Sequence, residues 1–462
     1  MIALSLAELT AVVGGRLEGA ADPGPVVTGP VVTDARLALP GALYVARRGE
    51  HADGHDFVGQ AAENGAVAAL TDRVVAGLPC VVVPDVQAAF AALAHDVVGR
   101  VPGLRVVAVT GSSGKTSTKD LLAQVLATHG ATVASQESFN GEVGVPLTAL
   151  RVEAGTRHLV LEMGARGIGH LAYLTAIVAP DIAVVLNVGS AHVGEFGSVE
   201  AIAQAKSELV TGLAAGSLAV LNADDHRVAA MAELTPARVV TVGVGAGADV
   251  RAEGVRLDDR GRPSFALLAG GERAEVTLRL HGEHHVANAL AVAAVALELG
   301  LILPDVAAAL GTATAVSRWR MEVTQRPDGV TIVNDAYNAN PDSVRAALKA
   351  LMGMAGGGRS WAVLGEMLEL GDSAVTEHDG IGRLAVRLGV DRLVVVGRGA
   401  AAMHTGAVME GSWGEESVLV ADADAAFDLL QDELRNGDVV LLKSSRDAGL
   451  RWLGDRLAAT GA

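Results

Sequence analysis

The chain has 462 residues, half of them hydrophobic, under a fifth charged and only 3% aromatic. That composition can fill several buried cores and excludes a disordered chain; at roughly 100–200 residues per domain, it predicts about three domains. A net charge of −17 excludes a nucleic-acid groove or an anionic membrane surface as the main partner, although a local cluster of cations can still hold an anionic ligand.

The one cysteine, Cys80, cannot form an intrachain disulfide; it reads as a small buried hydrophobe in a reducing, cytoplasmic compartment. Residues 1–13 carry no Lys or Arg, so they lack the basic start of a signal peptide. Lysine stands at only five positions, 115, 119, 206, 349 and 443, and arginine makes up the rest of the 36 basic residues. Where lysine persists, a primary amine is the expected requirement, because guanidinium copies neither its point charge nor its reactivity at nitrogen.

In chain order, residues 1–100 show short β-rich runs at 26–32, 43–46 and 81–84, with helices near 60–64 and 88–98. They are expected to form a small mixed α/β domain ending at the linker Val101-Pro102-Gly103. From 101 to 313 a central domain follows, built on a mostly parallel sheet of the phosphate-loop ATPase kind. Its strands are expected at 105–110, 158–163, 182–188 and 218–221, with a weaker β-rich patch at 238–281 and a helix at 283–299. The apolar stretch 289–303 is interrupted by Glu298 and Gly300 and is too short to span a bilayer; it reads as a buried helix. The pattern breaks near 312–317. A third, Rossmann-like α/β domain then fills 314–462, with strands at 330–334, 361–364, 393–396, 418–420 and 439–442. The fold class is thus α/β in three domains.

The apolar run 106–110 leads into Gly111-Ser112-Ser113-Gly114-Lys115-Thr116 and then a helical stretch. A strand feeding a Gly-rich turn at a helix start makes an anion cradle, since backbone N–H groups and the helix dipole converge on a phosphate. Lys115 would reach the β- and γ-phosphates, and the Thr116 hydroxyl would bind Mg²⁺. The loop is the short GxxGK[ST] form, because Val109 stands where the longer pattern has glycine.

This loop resembles that of the Mur ligases and their folylpolyglutamate synthetase relatives, and further segments follow in the family's order. Ser138-Phe139-Asn140-Gly141-Glu142-Val143-Gly144-Val145-Pro146, Leu161-Glu162-Met163-Gly164-Ala165, the stretch 187–192, Ile202-Ala203-Gln204-Ala205-Lys206-Ser207-Glu208 and the stretch 284–289 each resemble a Mur ligase segment. In the last of these, His285 replaces the family's first Asn. Asn334-Asp335-Ala336-Tyr337-Asn338-Ala339-Asn340-Pro341, Gly365-Glu366-Met367-Leu368-Glu369-Leu370-Gly371 and Leu442-Lys443-Ser444-Ser445-Arg446 are similar to the members that add D-alanyl-D-alanine. Arg166 and His170 depart from the family, which places Asn and Glu there in some members.

The resemblance implies an ATP-dependent amide ligase that joins D-Ala-D-Ala to UDP-MurNAc-tripeptide through an acyl phosphate, as a monomer and with no nucleic-acid or membrane partner. The alternatives are another ligase of the superfamily, a switch ATPase and a non-catalytic sugar-nucleotide binder. The resemblance implies two Mg²⁺ ions, the first held by Thr116 and Glu162, the second by His192 and by Lys206 carbamylated by CO₂, which would turn a repelling amine into an oxygen donor. Lys115, Asn140, Lys206, His192 and Arg320 form the expected catalytic set, with Arg318 a rival to Arg320. Gly111, Ser112, Ser113, Gly114, Lys115, Thr116, Asn288, Arg320 and Asp335 would hold the nucleotide. Tyr337, Asn338, Lys443, Ser445 and Arg446 would face the dipeptide, with either Lys443 or Arg446 meeting its carboxylate. Asp34, Arg36, Asp53 and His55 resemble a uridine-side signature, and Arg47 and Arg48 are open between a diphosphate contact and a solvated face.

Overall fold

The computed structural model describes residues 1–20, 24–189, 193–411, 414 and 416–460. It contains three large sheets, taken below in chain order, and a two-stranded ribbon. The first is five-stranded, in the order Arg16–Glu18, Cys80–Val82, Ala66–Thr71, Ala42–Val45, Val31–Val32, parallel except at the Arg16–Glu18 edge. The expected run 26–32 is split: Val26–Val27 pairs with Leu4–Ser5, while Val31–Val32 joins the five-stranded sheet. The break falls at Gly29, where a Cβ would lie 2.6 Å from the Pro40 carbonyl oxygen, so the chain can pass only as glycine. Cys80 lies in a strand and is fully buried.

The second sheet has nine strands. Six run parallel, in the order Val250–Leu257, Arg238–Gly243, Leu218–Asn222, Ile182–Val185, Arg105–Thr110, His158–Glu162, and Thr132–Ala134 adds a parallel edge. Pro263–Ala269 and Glu272–Thr277 extend the other edge as an antiparallel meander, which accounts for the β-rich patch. Val107 and Val109 face one core, while Val106 and Ala108 face another, so this strand is apolar on both sides as a covered parallel sheet requires. One of those cores also takes in Phe90, Leu93 and Val97 of the helix Val86–Gly99, seating the first lobe on the central sheet. The apolar stretch 289–303 ends the helix His285–Glu298 and starts Leu303–Thr312. Among the described residues no helix is long and apolar enough to cross a membrane.

The third sheet has six strands, in the order Glu322–Gln325, Thr331–Asn334, Val439–Lys443, Ser360–Leu364, Arg392–Val396, Ser417–Val420, parallel apart from the first. The passage into it is tied to the phosphate-loop helix Lys115–Ala127. Gln124 exchanges hydrogen bonds with the Thr314 backbone at 2.9 and 3.0 Å, and Asp120 accepts the Ser317 N–H at 3.1 Å. Lys119 is buried beside Asp120, in an ion pair.

Candidate active site

Strand Arg105–Thr110 ends inside the nine-stranded sheet, between Ile182–Val185 and His158–Glu162, and delivers the glycine-rich loop to the start of helix Lys115–Ala127. Gly114 has φ +81°, and a Cβ there would lie 2.7 Å from the Asn288 side-chain oxygen. Both facts demand glycine. Gly114→Ala is therefore expected to fold but to weaken ATP binding at least tenfold, as read by isothermal titration; unchanged affinity would show that the loop tolerates a shift.

The loop is braced from outside. Asn187 accepts the Ser112 N–H on its carbonyl at 3.1 Å and the Ser113 N–H on its side chain at 2.9 Å, and Ser112 Oγ accepts the Gly189 N–H at 2.9 Å. Lys115 folds back onto the Gly111 carbonyl at 2.7 Å. Burial pushes its amine below the ordinary lysine value, and the nearby Glu162 charge opposes that.

Glu162 closes strand His158–Glu162 and is 1% exposed. One of its oxygens accepts the Thr116 hydroxyl at 2.9 Å, the other the Asn140 amide at 2.8 Å. No arginine or lysine reaches it in an ion pair among the described residues. With its proton committed to Glu162, Thr116 Oγ1 can only accept from Ser138 Oγ at 3.2 Å, and Ser138 in turn accepts Arg320 Nη2 at 3.2 Å. Lys206 lies on helix Val199–Thr211, 5% exposed. No acceptor sits on its amine among the described residues. Burial, and then the charge of Lys115, push that amine well below its usual value. A lysine on an open helix face would instead pair with a glutamate in solvent. His192 falls outside the described residues.

Arg320 is held by unusual backbone. Its neighbours Trp319 and Met321 have φ +57° and +51°, a left-handed conformation costing about 1–3 kcal/mol at each. Four contacts over-determine the strap. Glu322 accepts the Trp319 N–H at 2.9 Å, Asp335 the Met321 N–H at 3.1 Å and Asp455 the Trp319 indole at 3.0 Å, while the Trp319 carbonyl accepts the Tyr337 N–H at 3.2 Å. Arg320 projects into the site, 4.3 Å over the Tyr337 ring, whereas its rival Arg318 is paired with Asp455 at 2.9 Å.

Several expected ligand contacts are instead internal bonds. Asp335 accepts Met321 N–H on one oxygen and the Lys443 amine, at 2.6 Å, on the other. Lys443 is buried and also reaches the carbonyls of Asn338 at 3.1 Å and Asp335 at 3.3 Å. Its donors are spent, so it clamps the 335–338 loop and offers no free cation to a carboxylate. Ser445 is likewise spent, accepting Leu368 N–H at 2.9 Å and donating to the Ala339 carbonyl at 3.4 Å. Asn338 caps the next residue, accepting Ala339 N–H at 2.9 Å. Arg446 remains exposed, with its guanidinium 5.5 Å over Tyr337.

In the first lobe, Asp34 caps the turn Ala35–Leu37 and pairs with Arg36 at 2.6 Å. Arg47 donates to Gln87 at 2.8 Å, and Gln87 donates to the Glu142 carbonyl at 2.7 Å, so Arg47 braces the central lobe. Arg48 pairs with Asp72 at 2.8 Å. His55 is buried, with Nε2 accepting the Asp72 N–H at 3.1 Å. Its proton therefore sits on Nδ1, donated to Asp53 at 2.5 Å, while Asp53 also takes Arg73 at 2.9 Å. Both ring nitrogens of His55 are thus used within the lobe. His55→Ala is expected to lower stability by about 1–3 kcal/mol, seen in thermal unfolding, with kcat little changed.

One cavity of about 620 Å³ gathers these lobes. It is lined by Thr33 of the first, by the phosphate loop with Asn140, Glu162, Lys206 and Asn288 of the second, and by Arg320, Asp335, Tyr337, Asn338 and Lys443 of the third. Asp34, Arg36, Asp53, His55, Ser445 and Arg446 do not line it. Sequence reasoning gave no role to Ser138, though it stood in a quoted motif, nor to His284, which lines the cavity. Burial takes the His284 imidazole down to about 4, and its Nδ1 has no partner among the described residues. Among the described residues no three His, Cys, Asp or Glu side chains cluster as a metal cage.

Sequence profiles for three parts of one family cover the chain. The Mur ligase family catalytic domain matches residues 30–112, the Mur ligase middle domain 109–296, and the Mur ligase glutamate ligase domain 319–446. The chain belongs to the Mur ligase family. It is accordingly an ATP-dependent ligase. The ligase is 50% identical over 505 residues to the UDP-N-acetylmuramoyl-tripeptide–D-alanyl-D-alanine ligase of Mycobacterium tuberculosis, covering 99% of this chain and 98% of that one. Among solved structures it is similar to the UDP-N-acetylmuramoylalanyl-D-glutamyl-2,6-diaminopimelate–D-alanyl-D-alanyl ligase of Acinetobacter baumannii, with TM-score 0.86, 30% identity and 98% of both chains covered. It is also similar to the MurF ligase of Thermotoga maritima in complex with ADP, with TM-score 0.81, 29% identity, and 94% and 97% covered.

Proposed function

We propose that this ligase joins D-Ala-D-Ala to UDP-MurNAc-tripeptide in the cytoplasm, forming the pentapeptide precursor of peptidoglycan with release of ADP and phosphate. The full-length likeness to ligases of that name supports it, and the A. baumannii relative's name makes 2,6-diaminopimelate the candidate third residue. The observation that carries the mechanism is the convergence of Lys115, Lys206 and Arg320 on one cavity beside the buried carboxylate of Glu162. Phosphoryl transfer to a carboxylate brings two anions together, which repel by on the order of 4 kcal/mol at ~4 Å and an effective dielectric of ~20. The protein's task is to neutralise and align them.

In this reading residues 1–100 hold the UDP-sugar, 101–313 the ATP, and 314–462 close on the nucleotide and present the dipeptide. The loop Gly111–Thr116 cradles the phosphates and releases Lys115 from the Gly111 carbonyl to the γ-phosphate. His284 and Asn288 face the base. The Thr116 hydroxyl and Glu162 are hard oxygens side by side, fit for Mg²⁺, which when bound would spread the phosphate charge. Lys206 is buried, pushed toward neutrality and without an acceptor among the described residues, and its neutral amine has the nitrogen lone pair that adds to CO₂. One N–C bond forms and one amine proton leaves, and the resulting carbamate would offer oxygen donors to a second Mg²⁺, for which the family resemblance gives His192 as a further ligand. Arg320 and Asn140 orient the γ-phosphate. A tripeptide carboxylate oxygen attacks that phosphorus and ADP leaves. The D-alanyl amine then attacks the acyl carbon, a proton is lost from nitrogen, and phosphate departs. Tyr337 and Asn338 line the dipeptide side. Arg446 is assigned the dipeptide carboxylate, because Lys443 is spent on Asp335.

The test is phosphate release with ATP, UDP-MurNAc-tripeptide and D-Ala-D-Ala, leaving out each substrate in turn. Release that needs all three is expected. Turnover without the dipeptide would indicate a switch ATPase, and no turnover a binding protein.

A further inference from the structure

Arg166 and Glu142 line the same cavity, yet the ligation chemistry uses neither. Arg166 follows Glu162 by four residues, at most ~14 Å of extended chain. Glu142 follows Asn140 by two. Both charges thus border the same cavity as Asn140 and Glu162, where a carboxylate would meet the γ-phosphate. They do not neutralise one another, since no carboxylate pairs with Arg166 among the described residues. Glu142 faces His170 instead, with Oε2 3.6 Å from Nε2. His170 Nδ1 accepts the Arg166 N–H at 3.2 Å, so its proton lies on Nε2, pointing at Glu142. The Glu142 backbone is fixed through Gln87 at 2.7 Å. A cation and an anion are therefore held apart on one wall by bonds that leave both charges open.

We infer that Arg166 and Glu142 form a subsite for the zwitterionic end of the tripeptide's third residue, Arg166 taking its non-reacting carboxylate and Glu142 its ammonium. This rests on the function proposed above. 2,6-Diaminopimelate carries a carboxylate and an amine at each end of one aliphatic chain, so that one end is activated while the other lies free. Lysine has the distal amine but no second carboxylate. Arg166 therefore discriminates between the two, and Glu142 does not.

The experiment measures kcat/KM on the diaminopimelate and lysine tripeptides for the full-length ligase, Arg166→Ala, Arg166→Lys and Glu142→Gln. The wild type is expected to favour diaminopimelate on the order of tenfold, the scale of one partly solvated charge-assisted contact. Arg166→Ala should erase that preference through a raised KM on diaminopimelate alone, with kcat kept. Arg166→Lys should keep part of it, and Glu142→Gln should weaken both substrates alike. Equal losses on both substrates in Arg166→Ala, or no loss on either, would overturn the subsite while leaving the proposed ligation intact. A wild type inactive on both substrates would remove the proposed function and the subsite together.

Discussion

Lys206→Ala is expected to lower kcat by at least about 10²–10³-fold, and Lys206→Arg is expected not to recover it. The amine is buried, pushed toward neutrality and without an acceptor among the described residues. An ordinary lysine in that position would be a desolvated charge beside the Lys115 cation, with no ion pair to compensate it among the described residues. Carbamylation removes the contradiction by making an anion where cations gather. Arginine retains charge at all working pH and cannot add CO₂. The measurement is kcat at saturating substrates, paired with a ¹³C-bicarbonate NMR spectrum in which the wild type shows a carbamate carbon and both variants lack it. A fully active Arg variant would end the carbamate reading.

Glu162→Gln is expected to cost about 10³-fold in kcat while leaving thermal stability equal or higher. The native carboxylate is buried against a hydroxyl and an amide, and no ion pair stabilises it among the described residues. A glutamine of the same shape keeps the packing and removes a buried charge. It also removes the anionic oxygen expected to hold Mg²⁺. The loss should therefore appear as a higher Mg²⁺ concentration needed for half-maximal turnover, with the unfolding midpoint unmoved or raised. Turnover within tenfold of wild type would show that the carboxylate is structural.

The sheets of the second and third lobes were legible because their strands are near-continuous apolar runs punctuated by glycine. Ala66–Thr71 was not legible: Ala-Val-Ala-Ala-Leu-Thr has no alternation and favours helix by propensity, and its neighbours on both sides make it a strand. At the site, the phosphate-loop pattern pointed to Lys115 and Thr116 and the family resemblance to Asn140, Glu162, Lys206 and Arg320, and all six line one cavity. What the chain alone could not show is which polar groups are already satisfied. Lys443 finds Asp335 across 108 positions, and His55 is consumed by Asp53 and Asp72 within its own lobe. A motif names a donor, and only the fold tells whether that donor is free. Arg318 and Arg320 are alike in sequence, and they are separated by where Asp455 sits.

Strand Val439–Lys443 lies in the middle of the third sheet, between Thr331–Asn334 and Ser360–Leu364, although it comes last in sequence among the described strands. A chain emerging from the ribosome and stopped short of it would hold two raw edges with a gap between them, and no Lys443 to anchor Asp335. Synthesis order thus imposes a safeguard on this enzyme. The nucleotide-cradling lobe can be complete early, but the half that closes over it waits until residue 443 has been translated, so a product stopped before that point would lack the clamped loop at residues 335–338.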